Sequence, residues 1–185
     1  MIVVNKIEGV RFGILWNSVQ QFGQLGITFI STILLAHLLS PEDYGIYGIL
    51  MIFISVSEML SDSGIAGYVI KKQNVTPIYY DTLFVYNMCV SCIMYLLLFF
   101  IAPIISDFYE KSILTSAIRV LGLVLPLYAF SITQVTRLLK DLQFHKIALI
   151  NIVSGAIALC VSLILAYKGF GIWALIVQQL VMVAL

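Results

Sequence analysis

Charge is what this sequence has least of. Only 10% of its 185 residues are Asp, Glu, Lys or Arg, and 62% are hydrophobic, whereas a soluble domain carries about 25% charge. With a mean hydropathy of +1.07, the chain has too little polar surface to face water all round, so its solvent is largely lipid. The net charge of +1 excludes the strongly basic balance that nucleic-acid binding requires. Cysteine is scarce too: Cys89, Cys92 and Cys160 all lie inside apolar runs. Cys89 and Cys92 have C-x-x-C spacing but no further ligands beside them, so neither a metal nor a cofactor is expected. Met1 to Phe12 carries Lys6, Glu8 and Arg11 without a small-residue cleavage pattern behind a short apolar core, which is not the form of a removable signal peptide.

What is present is a series of long apolar stretches. Crossing the hydrocarbon takes about 20 helical residues, and five stretches are long enough: 13–39, 44–60, 83–105, 113–135 and 147–167. A sixth, 171–185, is shorter than a full span and still apolar where the sequence stops. The pattern predicts an all-α, polytopic membrane helix bundle with five complete spans and a truncated sixth, filling residues 1–185 as one lobe. The turn between the first two spans has its own chemistry. Ser40 is placed to accept from the free N–H groups of the next helix, Pro41 suits its first position, and Glu42 and Asp43 set negative charge at its positive end. Similarly, Thr76 is expected to cap a helix begun by Pro77.

Basic residues orient the spans. With the N-terminus in the cytoplasm, the inner segments hold Lys6, Arg11, Lys71, Lys72, Arg137, Lys140 and Lys146, and the outer ones hold Lys111, Lys168 and Arg119. Seven against three favours that orientation in a cytoplasmic (inner) membrane. Aromatic residues agree, with Tyr44, Tyr47, Phe108, Tyr109, Tyr167, Phe170 and Trp173 at the outer interface and Tyr79, Tyr80 and Phe144 at the inner one. Asn74-Val75-Thr76 matches a glycosylation acceptor, but this topology puts it in the cytoplasm.

Three groups of polar residues stand out inside the spans. At 100° per residue, Asn17, Gln20, Gln21, Gln24, Thr28 and Ser31 share an arc of about 100° on the first helix. Amides are costly in hydrocarbon, so this face meets either other helices, as hydrogen-bonding glue, or a wet cavity, where amides would suit sugar hydroxyls. Arg119 lies about 9 Å inside its span. It either snorkels outward or, sharing a face with Gly122, Pro126, Thr133 and Gln134, points inward, where its charge and donor fork match a phosphate. Arg11 is off the amide face and reads first as an interfacial anchor. Pro126 is expected to kink its helix. Glu58 and Asp62, one turn apart at the inner end of the second span, form either an interfacial ion cluster with Lys71 and Lys72 or a proton or sodium site that couples transport to a gradient.

The run Leu34-Leu35-Ala36-His37-Leu38-Leu39-Ser40-Pro41-Glu42-Asp43-Tyr44-Gly45, followed by Ser61-Asp62-Ser63-Gly64-Ile65-Ala66, resembles the polysaccharide biosynthesis and export proteins of the MOP (multidrug, oligosaccharidyl-lipid, polysaccharide) superfamily. Leu138 to Phe144 resembles that family's join between its fourth and fifth helices, and Gly169 to Ile176 with Gln178 and Gln179 its entry into the sixth. His37 stands where such proteins usually carry arginine, and the chain has under half of the family's helices. The resemblance implies a flippase that carries lipid-linked (pyrophosphate) oligosaccharides to the outer leaflet, with two helical lobes rocking about a cavity and the lipid tail left among membrane lipids. This chain would be the N-terminal lobe, and a C-terminal lobe would be its partner.

Two other readings share the architecture: a multidrug or cation antiporter of the same superfamily, and a non-transporting truncated membrane protein. A membrane enzyme is not expected, because the outer loops 40–43, 106–112 and 168–170 are too short to assemble a catalytic site.

Overall fold

The computed structural model describes the backbone of residues 2–61, 65–71 and 76–185, with side chains from residue 15 onward apart from 65, 66, 71 and 77. Asp62, Lys72 and Asn74, and the side chains of Arg11 and Lys71, lie outside it. The described residues are helical almost throughout: α1 Ile2–Ala36, α2 Pro41–Ser61, α3 Ile65–Lys71, α4 Pro77–Phe108, α5 Ile113–Leu121, α6 Val124–Lys140, α7 Phe144–Tyr167 and α8 Ile172–Ala184. Among the described residues, five stretches are long and apolar enough to cross a membrane: Leu15–Ala36, Pro41–Ser61, Ile78–Phe108, Ile113–Lys140 and Phe144–Tyr167. The chain is therefore a multi-pass membrane protein.

Apolar side chains lie both inside the bundle and on its outer face. On α2, Ile46, Leu50, Ile54, Ser57 and Ser61 form one buried stripe, and Ile52, Val56 and Met59 point outward. Outward apolar side chains suit lipid, so association between helices rests on close fit and internal hydrogen bonds. The main core joins α2, α4, α5 and α8 through Leu50, Ile54, Leu98, Ala102, Ile118 and Ile176. A second cluster joins α1, α7 and α8 through Leu35, Ala166, Ala174 and Leu175. Helix α8 touches α2, α5, α6 and α7, so it links the two clusters.

The turns explain how the helices end. Ser40 Oγ accepts from the Asp43 N–H at 3.1 Å, while Asp43 Oδ2 accepts from the Ser40 N–H at 3.1 Å. This is a reciprocal capping box with Asp in the third helical position. Three helix ends carry the paired 6→1 and 5→2 bonds of the Schellman motif, with Glu110, Leu142 and Gly169 at positive φ. Thr76 is extended ahead of Pro77, but its side chain makes no capping bond, so only the backbone half of the expected cap forms.

Sequence spacing missed α3, a single short helix whose Val69 is buried against the bundle. Lys140 Nζ donates to the Val69 carbonyl at 3.1 Å, tying α3 to the end of α6. The kink expected at Pro126 appears as a break four residues earlier, between Leu121 and Val124. Proline offers no N–H to the Gly122 carbonyl and its ring crowds that group, and the Leu125 N–H takes the carbonyl instead at 3.0 Å.

Three turns meet at one end of the bundle. Asp43 Oδ1 accepts from the Ile172 N–H at 3.1 Å, and Lys111 pairs with Glu42. At the opposite end Trp16 packs edge-on to His145, and the Arg137 guanidinium lies 4.8 Å from the Tyr80 ring centroid.

Candidate functional site

Small residues let α1 approach α7 closely. A Cβ on Gly23 would lie 3.0 Å from Ile152 Cδ1, and one on Gly155 would lie 3.4 Å from Ile27 Cδ1. That approach fixes the rotation of α1 and turns most of its polar face toward α7 and α8.

Two cavities follow along this face. The first, of about 310 Å³, is lined by Gln24, Thr28 and Ser31 of α1, Tyr44 and Tyr47 of α2, Gly155 of α7, and Gln178 and Gln179 of α8. The second, of about 360 Å³, is lined by Asn17 and Gln20 with Tyr128 and Ser131 of α6 and Asn151 of α7. Gln21 is exposed and lines neither cavity. Among the described residues, no Asp, Glu, Lys or Arg lines either one.

Hydrogen bonding in the first cavity is incomplete. Gln178 Nε2 donates to Ser31 Oγ at 2.7 Å. Gln24 Nε2 reaches only the Met182 sulfur, at 3.8 Å, which is a weak acceptor. Gln24 Oε1 and the Tyr44 hydroxyl are buried without a partner among the described residues. An unpaired buried polar group costs roughly 1–3 kcal/mol, so the site is set to take groups that donate and accept. Gln178 and Gln179 belong to the site as much as the α1 amides do. Their signal in the sequence was two neighbouring amides in an otherwise apolar segment, which is expensive in lipid unless they face something polar.

The remaining polar residues are placed elsewhere. Arg119 sits in the last turn of α5 with its guanidinium carbon 4.2 Å from the Phe99 ring centroid, and its Nε–H is buried without an acceptor among the described residues. It lines neither cavity, so the cation and the amide face are separate features. Thr133 is buried and Gln134 exposed, being about 100° apart on α6, and the break before Val124 separates both from the helix that carries Arg119. Glu58 is half-buried on α2 and has no ion pair among the described residues. His37 Nδ1 lies 2.9 Å from the Ile33 carbonyl of its own helix. Among the described residues, no group of His, Cys, Asp and Glu could hold a metal ion.

Comparison with known proteins fits this architecture. The family model described as "Polysaccharide biosynthesis protein" matches residues 34–185. The succinoglycan biosynthesis transport protein ExoT of Rhizobium meliloti (strain 1021) is 24% identical over 166 residues, which are 90% of this chain and 34% of that protein. The lipopolysaccharide biosynthesis protein WzxC of Escherichia coli (strain K12) is 22% identical over 139 residues, 75% of this chain and 28% of that protein. An uncharacterized membrane protein in the cps region of Klebsiella pneumoniae is 20% identical over 150 residues, 81% of this chain and 31% of that protein. The chain thus spans about a third of the length of the curated relatives it matches. No solved structure matches it significantly. With the matching model covering α2 to α8 and the last turn of α1, the chain belongs to the polysaccharide biosynthesis protein family, the MOP-type export proteins that its turn motifs resemble.

Proposed function

We propose that this chain takes part in transporting lipid-linked oligosaccharides across the cytoplasmic membrane for surface polysaccharide synthesis. The observation that carries the reading is the amide face of α1, which with Gln178 and Gln179 lines a cavity well inside the spans. Gln24 lies twelve residues before the end of α1 at Ala36, about 18 Å from that end at 1.5 Å per residue. Amides at that depth donate to and accept from sugar hydroxyls, while the lipid tail stays in the bilayer. A relative named as a transport protein for succinoglycan biosynthesis supports the same class of cargo.

In this reading the N-terminus is cytoplasmic, this chain supplies the N-terminal lobe, and a C-terminal lobe completes the path. Arg119, whose Nε–H lacks an acceptor, would hold the pyrophosphate through its fixed charge. Glu58, with Asp62 near it in sequence, would couple the cycle to protons or sodium. The rival reading, export of drugs or other cations, fits less well, because no carboxylate among the described residues lines either cavity.

The test replaces the gene in its native host with a Gln24→Leu, Gln178→Leu version and measures lipid-linked oligosaccharide in the outer leaflet. Outer-leaflet material should fall at least about tenfold at unchanged protein level, the equivalent of about 1.4 kcal/mol. Unchanged export would contradict the proposal, and loss of cationic-dye efflux in its place would favour the rival.

A further inference from the structure

We infer that the cavity between α1, α7 and α8 is a subsite for a single uncharged sugar ring of the transported oligosaccharide, a specificity that rests on the transport reading. Its volume of about 310 Å³ lies at the small end of ligand pockets, which run from about 300 to 1,000 Å³. That leaves room for a ring-sized part of the cargo.

The chemistry of the lining decides what kind of ring. None of the described residues that line it carries a formal charge. A uronic acid would bury its carboxylate with no cation beside it, and a metal ion or ammonium group would find no carboxylate. Either burial is heavily disfavoured.

An apolar group would leave Gln24 Oε1 and the Tyr44 hydroxyl as they are, buried and unpaired. A hydroxyl-rich neutral ring supplies a donor to Gln24 Oε1 and either a donor or an acceptor to Tyr44, and it still has hydroxyls for Gln179. The Tyr44 and Tyr47 rings add apolar bodies for the C–H face of the sugar. Gln178, already held by Ser31 Oγ at 2.7 Å, is positioned to present its remaining amide groups without further ordering. Charged parts of the cargo belong outside this cavity.

The test titrates the purified chain in detergent micelles with methyl β-glucopyranoside, methyl β-galactopyranoside and methyl β-glucopyranosiduronate, followed by saturation-transfer NMR. At least one neutral glycoside should bind, with the uronate at least about tenfold weaker. Gln24→Leu and Gln178→Leu should each weaken the neutral ligand about fivefold, while Ser55→Ala on the outer side of α2 should leave it unchanged. Uronate binding equal to or tighter than the neutral glycosides, no binding by either neutral glycoside, or full affinity in both leucine variants would overturn the subsite. The neutral-to-uronate ratio is read on the unaltered chain, so a variant that misfolds does not remove the test. Export that survives in cells after glycoside binding is abolished would overturn the subsite and leave transport standing. Intact glycoside selectivity without export would overturn transport and leave a sugar site.

Discussion

Asp43 joins parts of the chain that are far apart. Its Oδ2 closes the capping box with Ser40 and its Oδ1 takes the Ile172 N–H, 129 residues away. One carboxylate thus neutralises the positive ends of α2 and α8 together. Gly171 makes room for it: φ is +56°, and a Cβ there would lie 3.1 Å from Asp43 Oδ1. Asp43→Ala should lower stability in detergent by about 1–2 kcal/mol, measured by thermal unfolding. Gly171→Ala should cost at least about 1 kcal/mol, because alanine must enter the left-handed region against that carboxylate. Ser40→Ala, which removes only the local half of the cap, should cost about 1 kcal/mol. The start of α2 was legible because Ser40, Pro41, Glu42 and Asp43 are adjacent and each acts on the next turn. The bond to Ile172 was not, since nothing local to either end specifies the other. Arg119 shows the same limit: its depth follows from counting residues, but its seat over Phe99 depends on how α4 lies against α5.

Between elements, glycines decide which contacts are close. A Cβ on Gly122 would lie 2.9 Å from the Ile118 carbonyl oxygen and 3.0 Å from Tyr95 Cδ2, and neither a backbone atom nor a packed ring yields readily. Gly122→Ala should therefore destabilise the bundle by about 1–3 kcal/mol. Gly48→Ala on α2, with nothing within 4 Å, should be neutral or slightly stabilising, since alanine is the better helix former. The pair of variants separates close packing from helix propensity. Rotational phase on α1 was readable from 100° spacing, because its helix runs unbroken past every amide. The face assigned to Arg119 with Thr133 and Gln134 was not, because spacing arguments fail across a break, and Pro126 moves that break back to Gly122. Helix α3 escaped notice because seven residues are too few to establish a period.

At the scale of the whole molecule, the turn after α1, the α4–α5 turn and the α7–α8 turn lie together, joined by the Glu42–Lys111 pair and the Asp43 bond to Ile172. Both partners of the ion pair are well exposed, so the pair is worth about 0–1 kcal/mol and serves to mark the end of the bundle rather than to hold it. Cysteines replacing Glu42, Lys111 and Lys168 should therefore be labelled by an impermeant reagent from one side of the membrane, and one replacing Lys146 only from the other. In full transport, Arg119→Ala should impair export more than Arg119→Lys, as read from outer-leaflet oligosaccharide. Equal export from the two would remove the pyrophosphate role, since a lysine keeps the charge and loses the fork.

The most direct measurement is the reactivity of cysteines along α1 and α8 in intact membranes. Replacing Gln24 and Gln178 one at a time should give thiols that a small water-soluble reagent modifies, and faster than a cysteine at Phe29, which is 67% exposed on the outer face of the bundle and should lie in lipid. If Gln24 and Gln178 react no faster than position 29 under every condition of transport, the cavity they line is closed to water, and the amide face is packing between helices.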